Sequence, residues 1–93
     1  MITAIVLIKC DVGRVPEVGE AIAQLDGVSE VYSVTGEHDL VAMVRVREHD
    51  HLADVIPGLV NRTPGVMSTE THIAFRTYSR HDLEAAFSLG LEG

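Results

Sequence analysis

The sequence predicts an α+β fold, in which a four-stranded antiparallel sheet carries two helices on one face. Three observations lead there. Strand-like and helix-like stretches follow in the order β-α-β-β-α-β. The second half echoes the first at an offset of 38 residues. The composition, 46% hydrophobic and 23% charged over 93 residues, suits one globular domain with one core and leaves no room for a second.

Ile2 to Ile8 is β-branched and apolar on both alternating faces, Ile2, Ala4, Val6 and Ile8 on one and Ile5 and Leu7 on the other. That pattern predicts a strand covered on both sides. Val15, Val18, Ala21, Ile22 and Leu25 follow helical spacing, Pro16 is tolerated in a first turn, and Gly27 is placed to end a helix over roughly residues 15–25. A second strand is expected over Val28 to Thr35 and a third over Leu40 to Arg47, joined by the turn-like Gly36-Glu37-His38-Asp39. Leu52, Val55, Ile56, Leu59 and Val60 predict a second helix, kinked or cut short at Pro57-Gly58 because proline has no N–H to donate. Pro64-Gly65 ends that helix. Val66 to Thr77 predicts a fourth strand, and Arg80 to Leu91 a short terminal helix.

The repeat pairs Ile2 with Leu40, Ala4 with Ala42, Val6 with Val44, Ile8 with Val46, Val18 with Ile56, Ile22 with Val60, Gly27 with Gly65 and Val28 with Val66. Two β-α-β crossovers of the same hand, side by side, make the ferredoxin-like βαββαβ sandwich. Its second sheet face has no helix to cover it. Ile5, Leu7 and Met43 make that face partly apolar, so a homodimer closed sheet against sheet, a dimeric α/β barrel, is expected.

Composition also excludes functions. Lys and Arg number 7 against 14 Asp and Glu, a net charge of −7, and such a surface repels the phosphates that a nucleic-acid reader must neutralise. The apolar start, Met1 to Ile8, is far shorter than the ~18 residues of a membrane span and has no basic flank. A single cysteine, Cys10, forms no intramolecular disulfide, which makes a reducing, cytoplasmic setting the default expectation. Cys10 reads as a small strand-end residue, because no Cys-x-x-Cys pair or base motif accompanies it. His49 and His51, two apart near a helix start, do not share a helical face, so no metal and no cofactor is expected.

The polar constellation that stands out is Thr35-Gly36-Glu37-His38-Asp39 taken with Thr69 and Thr71. Gly36 can take a positive φ and leave backbone N–H groups free for a carboxylate, while Asp39 offers an acceptor for an ammonium, a pairing that suits a zwitterion. The competing reading is an ordinary hairpin turn, with the threonines present for strand propensity. Glu70 and His72 alternate with the threonines and belong to the opposite sheet face, at an interface or its rim.

The run Val34-Thr35-Gly36-Glu37-His38-Asp39-Leu40-Val41, the helix-ending Pro64-Gly65-Val66 and the strand Thr69-Glu70-Thr71 resemble the effector-binding (RAM) module of leucine-responsive and asparagine-type (Lrp/AsnC) transcription regulators. Val6-Leu7-Ile8-Lys9 with Gly13, and Gly27-Val28, match the same module. The resemblance covers about residues 2–77. It divides the chain into a ligand-binding domain over 1–77 and a C-terminal extension over 78–93, expected to be helical. It implies a ferredoxin-like fold, dimers assembled into rings, commonly octamers, and an amino acid or related small molecule held between dimers. The ligand-binding residues carried over are Gly36, Glu37, His38, Asp39 and Leu40, with Thr69 and Thr71 near them. Such regulators normally carry an N-terminal helix-turn-helix reader, and this chain starts at Met1 on strand one, so it resembles the stand-alone module with no direct hold on nucleic acid. A full-length regulator is then a candidate for co-assembly. His38 stands where an aromatic such as Tyr is common, and Pro57-Gly58 interrupts helix two. The expected function is therefore non-enzymatic effector binding and oligomerisation linked to transcription regulation. The alternatives are a small cofactor-free monooxygenase or isomerase of the dimeric α/β barrel type, which needs buried polar groups facing the helices, and a purely structural oligomerisation module.

Overall fold

Four strands and two helices alternate along the chain in the expected order. They are β1 (Ile2–Cys10), α1 (Val15–Ala23), β2 (Val28–Ser33), β3 (Leu40–Val46), α2 (His49–Val55) and β4 (Val66–Ile73). The structure, a computed structural model, describes residues 1–80. The terminal helix expected over Arg80 to Leu91 lies, apart from its first residue, outside the described residues. The sheet is antiparallel throughout, in the order β2-β3-β1-β4.

The register explains the 38-residue repeat. Ile2 faces Val46, Ile5 faces Met43 and Ile8 faces Leu40, so the repeat-related strands β1 and β3 run side by side in opposite directions about a pseudo-twofold centred near Ile5 and Met43. Ala4, Val6 and Ile8 of β1 and Leu40, Ala42 and Val44 of β3 are almost completely buried beneath the helices. Val18 and Ile22 of α1 lie one helical turn apart and enter that core, as do Leu52 and Val55 of α2.

Proline shapes the end of helix two. α2 is regular only to Val55, and Ile56–Val60 continues as a wide π-type turn in which the Asn61 N–H donates to the Ile56 carbonyl at 2.8 Å. Pro57 has no N–H for the carbonyl four residues back, so the regular ladder stops and the chain widens by one residue. The kink expected from the sequence is thus a single π turn. It still buries Ile56 and Val60 in the core.

Gly27 and Gly65, the repeat-related helix ends, have φ of +92° and +95°. A Cβ on Gly27 would lie 2.7 Å from a Val55 methyl, and one on Gly65 would lie 2.6 Å from a Val18 methyl. Each helix end therefore presses on the other half's helix, and only glycine satisfies both the backbone and the contact. Gly65→Ala is expected to lower the unfolding free energy by about 2–4 kcal/mol, combining left-handed strain with overpacking. Urea denaturation checks this, and an unchanged midpoint would contradict it.

Beyond β4 the Ala74 N–H still donates to the Thr3 carbonyl at 2.9 Å, after which Phe75 and Tyr78 stand exposed. No helix among the described residues is long and apolar enough to cross a membrane.

Candidate functional site

The turn between β2 and β3 is anchored from several sides. Ser33 pairs with Leu40 at its base, the Val34 N–H donates to the Asp39 carbonyl at 3.0 Å, and the Asp39 N–H donates to the Ile8 carbonyl at 2.9 Å. Asp39 then reaches across to β1, where its carboxylate Oδ2 accepts the Cys10 backbone N–H at 2.9 Å. Asp39 thus terminates β1 as well as the turn. A carboxylate has about four lone-pair sites, and Oδ1 has no hydrogen-bond partner among the described residues. Gly36, at φ +110°, faces open space, so glycine is required there by the backbone alone. Glu37 is exposed, His38 and Asp39 are half-buried, and Leu40 is buried. Leu40 also lines an open groove of about 380 Å³ between α1 and β2, with Val15, Pro16 and Val31.

Thr69 and Thr71 lie on the helix side of β4, as alternation requires, because Thr69 pairs with Ile8 and Thr71 with Val6. Leu40, Ile8 and Thr69 therefore form one row across β3, β1 and β4. Two strand spacings, about 10 Å, separate the ends of that row. One copy of the chain brings the turn and the threonines to the same end of the sheet but leaves β1 between them. Thr69 Oγ1 donates to Asn61 Oδ1 at 2.7 Å, a partner that the sequence did not reveal because the π turn places it. The spacing of Pro57 before Asn61 was the available signal. Thr71 is exposed.

Cys10 is buried at the end of β1. Burial pushes its thiol above the ordinary 9.0, and the nearby Asp39 and Asp11 carboxylates push it further in the same direction. The thiol is therefore protonated and unreactive at neutral pH, in keeping with a packing role.

The opposite sheet face carries two rows, Glu30–Met43–Ile5–His72 and Tyr32–Val41–Leu7–Glu70. Its middle is apolar, with Val41 adding to Ile5, Leu7 and Met43, and its margins are charged. Glu30 pairs with Arg45 at 3.5 Å and His72 with Glu70 at 3.1 Å. Glu30 also raises the Tyr32 phenol above its ordinary value, chiefly as a hydrogen-bond partner. Glu70 and His72 thus lie on the face expected of them, away from the threonines. Between sheet and helices no buried polar or charged side chain occurs among the described residues. Nor do three metal-ligating side chains gather anywhere among them.

Residues 3–83 match the family described as the Lrp/AsnC ligand binding domain. The HTH-type transcriptional regulator FL11 of Pyrococcus horikoshii is 32% identical over 75 residues, which is 81% of this chain and 49% of FL11. The chain spans about half the length of the curated relatives it matches. Among solved structures, TTHA0845 from Thermus thermophilus is 52% identical with a TM-score of 0.80, covering 86% of this chain and all of that one. The feast or famine regulatory protein Rv3291c of M. tuberculosis, solved in complex with L-methionine, is 28% identical with a TM-score of 0.71, over 86% of this chain and 54% of that one. With its βαββαβ frame and this match over most of its length, the chain belongs to the Lrp/AsnC ligand-binding-domain family.

Proposed function

We propose that the protein is a non-enzymatic sensor of an amino acid or related zwitterion, linked to transcription regulation, whose binding site is completed by assembly with further copies. The observation that carries this reading is the separation of the two halves of the site. The Gly36–Asp39 turn and the Thr69 strand share one end of the sheet with β1 between them, so a ligand touching both is held where copies meet. Asp39 Oδ1 serves the ammonium while Oδ2 stays on the Cys10 N–H, and the amides around Gly36 serve the carboxylate. Glu37, His38, Leu40 and Thr71 border the same region. The L-methionine bound by the 28%-identical relative supports the ligand class. The apolar middle of the open sheet face supports a homodimer as the building block, with rings of dimers and co-assembly with a full-length regulator as the further steps that the family suggests. Among the described residues every buried side chain between sheet and helices is apolar, which speaks against the enzyme reading, since that reading needs proton-handling groups there.

Thermal melts of the purified protein against the twenty amino acids test this. A ligand that binds only the folded state at a hundred times its Kd adds about 2.7 kcal/mol of apparent stability. One or more members of the panel should raise the melting temperature in a saturable way. No stabilisation by any of them would favour a purely structural oligomerisation module.

A further inference from the structure

We infer that Asn61 is a ligand-binding residue of the effector site, donating its side-chain NH2 to a planar oxygen group of the ligand. The inference rests on the amino-acid reading above and extends it to a part of the chain that the glycine turn does not include.

Two backbone irregularities meet beside Thr69. One is the π turn Ile56–Val60, which ends on Asn61. The other is a bulge in β4: Lys9 pairs with Ser68 and Cys10 with Val66, so Met67 is left without a partner on β1 and stands 64% exposed. π turns and β-bulges both recur next to functional sites, where they re-aim side chains. Between them lies a recess of about 210 Å³ lined by Asn61, Val66, Met67, Ser68 and Thr69. Its chemistry is set by the hydrogen bond from Thr69 Oγ1 to Asn61 Oδ1. Thr69 spends its one proton there, which leaves its hydroxyl an acceptor and fixes the orientation of the Asn61 amide. The two Nδ2 protons then have no acceptor among the described residues. A donor pair held in this way, beside a polar recess at the threonine end of the proposed site, is complementary to a carboxylate or a carboxamide.

That oxygen group has two sources, the main-chain carboxylate shared by all amino acids or the side chain of Asp, Asn, Glu or Gln. Calorimetric titration of the full chain with the twenty amino acids, for wild type, Asn61→Asp and Asn61→Ala, separates them. Asn61→Asp keeps an acceptor for Thr69 but replaces the donor with a negative charge, while Asn61→Ala removes the donor together with that acceptor. Both variants should melt as wild type does, because Asn61 is exposed. Affinity for the amino acid that binds wild type should fall by about tenfold in Asn61→Ala and by about a hundredfold in Asn61→Asp, as expected for loss of a hydrogen bond to a charged group and then repulsion. A loss across every amino acid that binds assigns the contact to the main-chain carboxylate. A loss confined to Asp, Asn, Glu and Gln assigns it to the ligand side chain. Wild-type affinity in both variants would overturn the role of Asn61 and leave the sensor reading standing. Absence of binding by wild type itself would overturn both.

Discussion

Asp39→Asn should leave the protein folded with its melting temperature nearly unchanged, yet weaken amino-acid binding roughly ten- to hundredfold, whereas Asp39→Ala should lose stability and binding together. The distinction comes from the two oxygens of one carboxylate. Oδ2 accepts the Cys10 N–H at 2.9 Å, a part-buried bond between residues 29 apart in sequence. Asparagine retains one carbonyl oxygen for that N–H and gives up the charge. Alanine leaves the N–H without an acceptor, at a cost of about 1–3 kcal/mol, which for a domain of this size lowers the melting temperature by about 4 °C or more. A charge-assisted hydrogen bond to an ammonium contributes about 1.5–3 kcal/mol, and the affinity loss follows from it. Melting curves and calorimetry on both variants check the prediction. If Asp39→Asn bound the effector as tightly as wild type, Asp39 would be a strand and turn brace alone.

Leu7→Glu should dissociate the proposed dimer. Leu7 sits in the middle of the uncovered face, between Val41 and Glu70 in its row, and its other neighbours across the sheet are apolar on the β3 side. In a twofold sheet-to-sheet dimer each substitution enters the interface twice, so two carboxylates are desolvated against apolar side chains and against Glu70 of the same row. At about 2 kcal/mol or more for each, the dissociation constant should rise by about a thousandfold. Sedimentation equilibrium at micromolar concentration checks this, with circular dichroism to establish that the variant still folds. Glu20→Gln, a change on the helix side of the molecule, should leave the dimer intact. A wild-type chain that sediments as a folded monomer at micromolar concentration would remove the dimer from the account altogether.

Much of this was legible in the sequence because the determining signals are periodic. The alternation in Ile2 to Ile8 fixed which side chains enter the core, and the 38-residue repeat made β1 and β3 the central pair. The same alternation put Thr69 and Thr71 on one face and Glu70 and His72 on the other. Ends were less legible. The second strand stops at Ser33, short of the Thr35 expected, because the turn closes with the Val34 N–H on the Asp39 carbonyl. The fourth ends at Ile73 rather than Thr77, near where β1 itself begins, with one further bond from the Ala74 N–H to the Thr3 carbonyl. Helix two begins at His49, where the sequence placed its start, but yields to the π turn at Ile56. Pro57 signalled an interruption, but not that the extra residue would set Asn61 against Thr69, because that depends on where β4 lies. The Asp39 bond to Cys10 has the same origin. It is a product of the β1–β3 register, which local sequence does not encode.

The central claim, that a zwitterion is held through its ammonium and its carboxylate, is tested most directly by calorimetric titration of wild-type protein with the amino acid that stabilises it, in parallel with the N-acetyl derivative of that amino acid. The parent should bind saturably, and the acetylated form, which has lost the charge that Asp39 is proposed to meet, should bind at least about tenfold more weakly. Equal binding of the two, or no saturable heat from any of the twenty amino acids, would contradict the account.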